Sequence, residues 1–573
     1  MPDYVLGLNC AYHESSVCVM KDGQVIAFME EERLSRIKHA KPAHVNNPDE
    51  LPNKAIKYCL DEAGISLKDI AHIGYTLNPR KRLEKNLDYK HLYKVTPKGF
   101  GTKEGEELFY QKNLNVEKKI KKLGFRGVFH YLDHHDCHAA GTYFSSGYSS
   151  SAVLIVDGIG EFESTTWYKG DGTRLEKIGS IDYPNSLGFL WEKFSKYFGF
   201  SEYDAAKVMG LTSYGNPAIY RKKFQKLVQV KSNGTFTIDD SIIQFRNENY
   251  APLEKLFNLK RNKKIIRNVN KENQKYADLA ASLQEVTEKA LIRLSIAIRK
   301  QTGSRFLCMA GGVSLNCVAN AKLIYKKIFD EIYIQPPAND AGGAIGAAYY
   351  IETQVLKHKH IIPLKDAYLG PFFTDNEILK VLKTSGLQYK KIKKIEKKTA
   401  QLLTEGNLVA WFQGRMEVGP RALGHRTILA DPRNKTLLDL INDKVKLREP
   451  FRPLCPSMLE KETAKWVEVG KHLPDAAKYM LAAMHAKKGK DKIIPAVVHV
   501  DHTARIQTVN RKISPRFWNL INEFYKLTKV PVVMNTSFNI QEPIVCSPED
   551  AIKTFKRSKI DYLVMGDYLC EKI

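Results

Sequence analysis

The sequence predicts an α/β protein of two domains, and three observations carry that prediction. Short apolar strands recur along the chain, each running into a glycine- or proline-containing loop and then a helix-forming stretch, the signature of repeated strand-loop-helix units. The chain, at 573 residues, exceeds what one ordinary hydrophobic core organises. The texture then changes near Lys365, where a Tyr368-Leu-Gly-Pro371 segment leads into a fresh helix and a second series of strands.

Taken in order, residues 4–8, 16–20 and 25–30 read as strands, with Lys21-Asp22-Gly23 as a tight turn. Stretches 52–63 and 106–123 read as helices, and 152–156, apolar throughout, as a central strand. A helix is expected over 277–300, and further strands over 307–309 and 331–334. The second series of strands is expected to begin at 408–412, and the domains to span 1–365 and 366–573. No short tandem repeat is visible, which argues against a solenoid or propeller.

Composition narrows the class. An apolar content of 43% with 10% aromatics fits folded domains rather than disorder, and no apolar run is long enough to span a bilayer. Residues 1–9 lack a basic leader and read as a buried first strand, so a cytoplasmic location is expected. The nine cysteines show no CxxC pairing, which leaves them as small core residues in a reducing compartment. The formal charge of +26, from 89 basic against 63 acidic side chains, favours anionic partners. Phosphorylated small substrates, nucleic acid and a merely soluble surface compete as explanations. The lysine runs 118–122 and 390–398 interleave with Ile and read as solvated faces of amphipathic elements.

The densest chemical signal is His130-Tyr-Leu-Asp-His-His-Asp-Cys-His138. On a helix, His134 and His138 share one face and can grip one ion. Asp157 ends the apolar strand and Asp340 opens another loop-helix unit, where carboxylates project into the crevice that α/β proteins use for ligands. Two imidazoles with two carboxylates suit iron, manganese or zinc better than magnesium. Paired glycines at Gly311-Gly312, followed by Asn316 and Asn320, and Gly158 after Asp157 let backbone approach a nucleotide closely. His13, in the loop of the first hairpin, is a candidate base. Towards the C-terminus, Arg421, Lys446, Arg452, Arg505 and Asn535 fall in Gly/Pro-rich or strand-end segments suited to oxyanion recognition, against the plainer reading of caps and surface ion pairs.

As an ordered set, these motifs resemble the O-carbamoyltransferase family that includes the tobramycin, cephamycin and nodulation-factor carbamoyltransferases. The resemblance runs over nearly the whole chain. It rests on Gly7-Leu-Asn9 with His13, Glu30-Glu-Glu-Arg33, His134 to His138, Asp157-Gly158, Lys207-Val-Met-Gly-Leu211, Ala310-Gly-Gly-Val313, Gly414-Arg-Met-Glu417, Gly419-Pro-Arg-Ala-Leu-Gly424, Arg448-Glu-Pro-Phe-Arg-Pro453 and Asn535-Thr-Ser-Phe-Asn539. It implies an N-terminal ASKHA (actin/sugar kinase-like) domain and a C-terminal YrdC-like α/β domain. It further implies that ATP, with Mg, and carbamoyl phosphate yield carbamoyladenylate in the C-terminal domain, and that the carbamoyl group then passes to an acceptor hydroxyl on a natural product, sugar or modified nucleotide. On that template His134, His138, Asp157 and Asp340 hold a divalent metal, iron ahead of manganese or zinc. His13 and Lys207 become catalytic, Gly158, Gly311, Gly312, Asn316 and Asn320 nucleotide-binding, and Arg421, Lys446, Arg452, Arg505 and Asn535 hold carbamoyl phosphate or ATP.

Two departures, Glu14 where the family often has Asp and Ala205-Ala206 where a Glu-Gly pair is usual, point to a different acceptor pocket. The divergent stretch 81–124 is expected to shape that pocket. The other readings are a tRNA threonylcarbamoyltransferase-like enzyme and a non-catalytic basic nucleic-acid-binding protein. The second lacks any RRM, KH or helix-turn-helix signature. No membrane partner is expected, and a homodimer is kept open.

Overall fold

The computed structural model describes residues 4–470 and 472–572, and the chain separates into two compact units, Met1–Lys365 and Asp366–Ile573. In the first unit, strands β1 (Tyr4–Asn9), β2 (Ser16–Lys21) and β3 (Gln24–Glu30) form an antiparallel meander. Asp22 and Gly23, both at positive φ (49° and 74°), close the β2–β3 hairpin in the backbone conformation that matches the strand twist. Strands β4 (Ile70–Tyr75) and β5 (Val128–Tyr131) then add in parallel to β1, for an order β3-β2-β1-β4-β5.

The second sheet repeats that plan. Strands β6 (Ser150–Val156), β7 (Glu163–Asp171) and β8 (Arg174–Asp182) form the meander. After a small ribbon of β9 (Val228–Val230) and β10 (Phe236–Ile238), strands β11 (Phe306–Ala310) and β12 (Glu331–Ile334) add in parallel to β6. The order β8-β7-β6-β11-β12 is the first sheet's order over again. This duplicated five-stranded plan is that of the ASKHA class. The repeat is topological and leaves no trace in sequence periodicity.

The helices His134–Ser146 and Gly343–Tyr350 cross at very close range. A Cβ on Gly346 would lie 1.7 Å from the Cys137 carbonyl oxygen, and one on Gly7 of β1 would lie 1.8 Å from that of Ala344. Only glycine allows such an approach, and it brings the N-terminal ends of both helices to the C-terminal ends of β1, β6 and β12.

The second unit is built on an open, mixed eight-stranded sheet. Its strands are β13 (Gln388–Lys391), β14 (Val409–Phe412), β15 (Arg426–Ala430), β16 (Cys455–Leu459), β19 (Gln507–Val509), β20 (Val532–Ser537), β21 (Tyr562–Met565) and β22 (Tyr568–Glu571), with β17 (Ala483–His485) and β18 (Thr503–Arg505) pairing separately. The strand series starts earlier than residues 408–412. Strand β13 is fully exposed and lysine-rich, as edge strands are, so it carries no apolar alternation to mark it. All nine cysteines are free and buried. Among the described residues no helix is long and apolar enough to cross a membrane.

Candidate functional site

His134 and His138 lie one turn apart on the helix His134–Ser146, both imidazoles fully buried. Asp157 follows the last residue of β6, and Asp340 stands three residues before the helix Gly343–Tyr350. Their ligand atoms all lie within 4.8 Å of one another. His134 Nε2 is 3.5 Å from Asp157 Oδ2 and 3.6 Å from Asp340 Oδ1, and His138 Nε2 is 3.4 Å and 3.7 Å from the same two oxygens.

These separations exceed hydrogen-bond lengths. They match the edge of a tetrahedron whose centre-to-ligand distances are about 2.1 Å, an edge of about 3.4 Å. His134 Nε2, His138 Nε2 and Asp157 Oδ2 are sealed from solvent with no hydrogen-bond partner, an arrangement that costs free energy unless a cation completes it. His134 and Asp157 are also oriented from outside, whereas His138 Nδ1 is buried without a hydrogen-bond partner. His134 Nδ1 lies 3.0 Å from the Thr76 carbonyl oxygen, so it carries the proton and Nε2 is left as the donor atom for an ion. Asp157 Oδ1 accepts from the Gly312 amide at 3.0 Å. Burial alone would raise the carboxyl pKa of Asp157, but the two imidazoles outweigh it and hold the group well below the carboxylate range. The donor set fits a divalent metal.

Beside this cluster opens a cavity of about 260 Å³. His13 lines it with Nδ1 3.9 Å from Asp340 Oδ2 and 3.8 Å from Glu14 Oε2, and Tyr203 meets its ring edge-on at 5.1 Å. Burial disfavours the imidazolium, yet Glu14 and Asp340 more than offset this and raise its pKa. Glu192, also on the wall, is pushed up to about 7, chiefly by burial. Arg82 and Phe100, both from the divergent stretch, line the cavity too.

The glycine positions divide. Gly158 lines the cavity. Gly311, at φ 89°, has room for no side chain, since a Cβ would lie 2.3 Å from the Val156 carbonyl oxygen. Gly312 spends its amide on Asp157. Asn316 caps the helix Cys317–Lys326 and exchanges amide hydrogen bonds with Gln284, so its side chain serves the fold. Asn320 donates to the Ser314 carbonyl oxygen at 2.8 Å and steadies the loop. Lys207 pairs with Asp204 at 3.1 Å and does not line the cavity.

In the second unit Cys455 of β16 stands opposite Asn535 of β20, and Arg505 approaches that pair. Arg505 reaches Cys455 Sγ through Nε at 3.1 Å and Nη2 at 3.0 Å. Arg452 lies 3.4 Å from Glu449. Arg448, missing from the sequence-based candidates though its motif was visible, has a pKa well below its ordinary value, through burial first and then the positive charges of Arg452 and Arg505. Three crowded guanidiniums make a field that an anion would relieve. Lys446 is buried and bound to Ser537 and Asn539 through both backbone and side-chain oxygens.

Asn535 departs from the phosphate-contact reading. Its Nδ2 donates to Ser457 Oγ (2.9 Å), Gln507 Oε1 (3.1 Å) and the Ala422 carbonyl oxygen (3.1 Å), and its Oδ1 accepts from Thr427. The amide is saturated by protein, and its role is to fix the loop that carries Arg421. Arg426, from the same glycine-rich motif, is likewise wholly buried over the Phe412 ring, donating to carbonyl oxygens.

With this geometry in place, comparison with known proteins is informative. Residues 4–349 match the family model described as Carbamoyltransferase N-terminus, and residues 400–572 the one described as Carbamoyltransferase C-terminus. The chain is 35% identical to the nodulation protein NolNO of Sinorhizobium fredii over 98% of its own length and 80% of that protein. It is 38% identical to the nodulation protein NolO of Bradyrhizobium diazoefficiens over 77% of its length and 79% of the other. An uncharacterized protein of Synechocystis sp. is 36% identical over 99% of this chain and 97% of that one.

Proposed function

Since the chain belongs to the carbamoyltransferase family, and so is a transferase, we propose that it is an ATP-dependent O-carbamoyltransferase that forms carbamoyladenylate from carbamoyl phosphate and ATP and transfers the carbamoyl group to an acceptor hydroxyl. The observation that carries this reading is the buried His134, His138, Asp157 and Asp340 group, with three orphaned ligand atoms, opening onto a cavity that holds a histidine base.

In the second unit, Arg448, Arg452 and Arg505 would take the phosphate of carbamoyl phosphate and neutralise charge as water attacks its phosphorus, so that carbamate and inorganic phosphate are released. Carbamate oxygen then attacks the α-phosphorus of ATP and pyrophosphate leaves. In the first unit, His13 would accept the acceptor's hydroxyl proton as that oxygen bonds to the carbamoyl carbon, and the C–O bond to AMP breaks. His134, His138, Asp157 and Asp340 would hold a divalent ion, which would supply Lewis acidity toward the carbamoyl group. Glycines 158, 311 and 312 would let backbone approach the nucleotide, while Phe100 and Phe189 exclude water from one side of the cavity.

The test is pyrophosphate release from ATP with and without carbamoyl phosphate, in metal-replete protein. Release that depends on carbamoyl phosphate is expected, and ATP turnover indifferent to it would contradict the reading.

A further inference from the structure

One cation on the cavity wall makes no ion pair among the described residues, although Asp240 lies near enough to feel its charge. Arg82 is paired with Glu106 at 3.0 Å, and Lys196 with Glu248 at 2.8 Å. Arg246 has no carboxylate within ion-pairing distance among the described residues. Its half-buried side chain faces three aromatic rings instead, Tyr183 at 5.0 Å, Phe189 at 5.1 Å and Phe100 at 5.6 Å. Nε and Nη2 are sealed from solvent and make no hydrogen bond. Stacking on aromatic faces stabilises the charge but leaves the in-plane N–H donors unmet, and two donors on one guanidinium edge are the fork that receives an oxyanion. A buried donor pair of this kind is retained at a cost unless a ligand completes it.

We propose that Arg246 is the specificity residue for the acceptor, and that the acceptor carries an oxyanion, a carboxylate or a phosphate, in addition to the hydroxyl that is carbamoylated. The inference rests on the acyl-transfer reading above. It goes to the acceptor because, of the three glycines assigned to the nucleotide, the cavity wall holds Gly158 alone, while His13, Phe100 and Arg246 all line it. The backbone amide of Arg246 donates to Tyr93 Oη at 2.8 Å, which anchors the loop and leaves the side chain to the cavity.

The test uses the full chain with Arg452→Ala, which disables the anion pocket of the second unit, and inorganic phosphate as the probe. Thermal stability is followed against phosphate concentration, with chloride at matched ionic strength as control. The Arg452→Ala protein is expected to show a saturable phosphate-dependent rise in Tm, and adding Arg246→Met, which keeps the packing stem, to weaken its midpoint by at least about tenfold. Arg246→Lys should restore part of it. No phosphate response in Arg452→Ala, or an equal response in both proteins, would overturn the proposal.

A second arm locates the ligand. Carbamoyladenylate formation and retention in the single Arg246→Met variant should equal wild type. A loss of about tenfold or more there would assign the guanidinium to the adenylate phosphate and overturn the acceptor role. Failure of the parent reading registers separately, as absence of carbamoyl phosphate-dependent pyrophosphate release in wild type.

Discussion

The carboxylate of Asp157 is shared between a glycine turn and a helix: Oδ1 accepts the Gly312 amide at 3.0 Å, while Oδ2 faces His134 and His138 at 3.5 and 3.4 Å. Whatever fills the cluster is thereby tied to the position of the glycine turn after β11. Asp157→Asn keeps an oxygen for the Gly312 amide but removes the charge. Bound metal per chain, measured by elemental analysis after purification, is expected to fall at least about tenfold. Wild-type occupancy in the variant would remove Asp157 from the ligand set.

Chelation should destabilise the protein, because an ion that binds only the folded state adds stability in proportion to the logarithm of its free concentration over Kd, about 2.7 kcal/mol at a hundredfold excess. Thermal unfolding with and without chelator measures this. Arg452→Ala, far from the cluster in sequence and in a different unit, should show the same chelator-induced fall, whereas His138→Ala should show none.

Asn535→Ala removes a buried amide that bonds Ser457, Gln507, Thr427 and Ala422. The variant is expected to lose about 2–4 kcal/mol of stability in denaturant unfolding, and to weaken carbamoyl phosphate use by displacing the Arg421 loop. Weakened use with unchanged stability would restore Asn535 as a direct ligand contact.

Glu192 has its folded pKa raised from 4.5 to about 7, mainly by burial and next by Asp157. A carboxyl raised on folding adds stability below its unfolded pKa, and that stability is lost as pH rises through about 7. Glu192→Gln does not titrate. Its stability relative to wild type, in chelator, should therefore rise between pH 5 and pH 8 by about 1–2 kcal/mol, once solvent screening of this half-buried group is allowed for. Urea melts at the two pH values decide it, and a pH-independent difference would contradict the assigned shift.

How much of this was legible beforehand follows from local physics. The strands of the first unit announce themselves because β1, β2 and β6 are buried on both faces and read as apolar runs. The His134/His138 pair shows through helical spacing, and Asp157 through its place at a strand end. The edge strand β13 was hidden because all four of its residues are exposed and three of them are Gln or Lys. Arg246 was hidden differently, since it sits in an irregular segment between short helices, 153 residues from the Tyr93 hydroxyl that anchors it. Asn535 was read as a ligand contact from its residue type, its place at a strand end and the family resemblance. The structure shows that the same donors are consumed by carbonyl oxygens and neighbouring side chains, which no spacing rule reveals.

The most direct measurement of the central claim is quench analysis of carbamoyladenylate in wild type, Arg452→Ala and His138→Ala, given ATP and carbamoyl phosphate without an acceptor. The account predicts that the adenylate forms in wild type, is lost with Arg452→Ala and survives His138→Ala. Loss with His138→Ala but not with Arg452→Ala would contradict the division of labour between the two units.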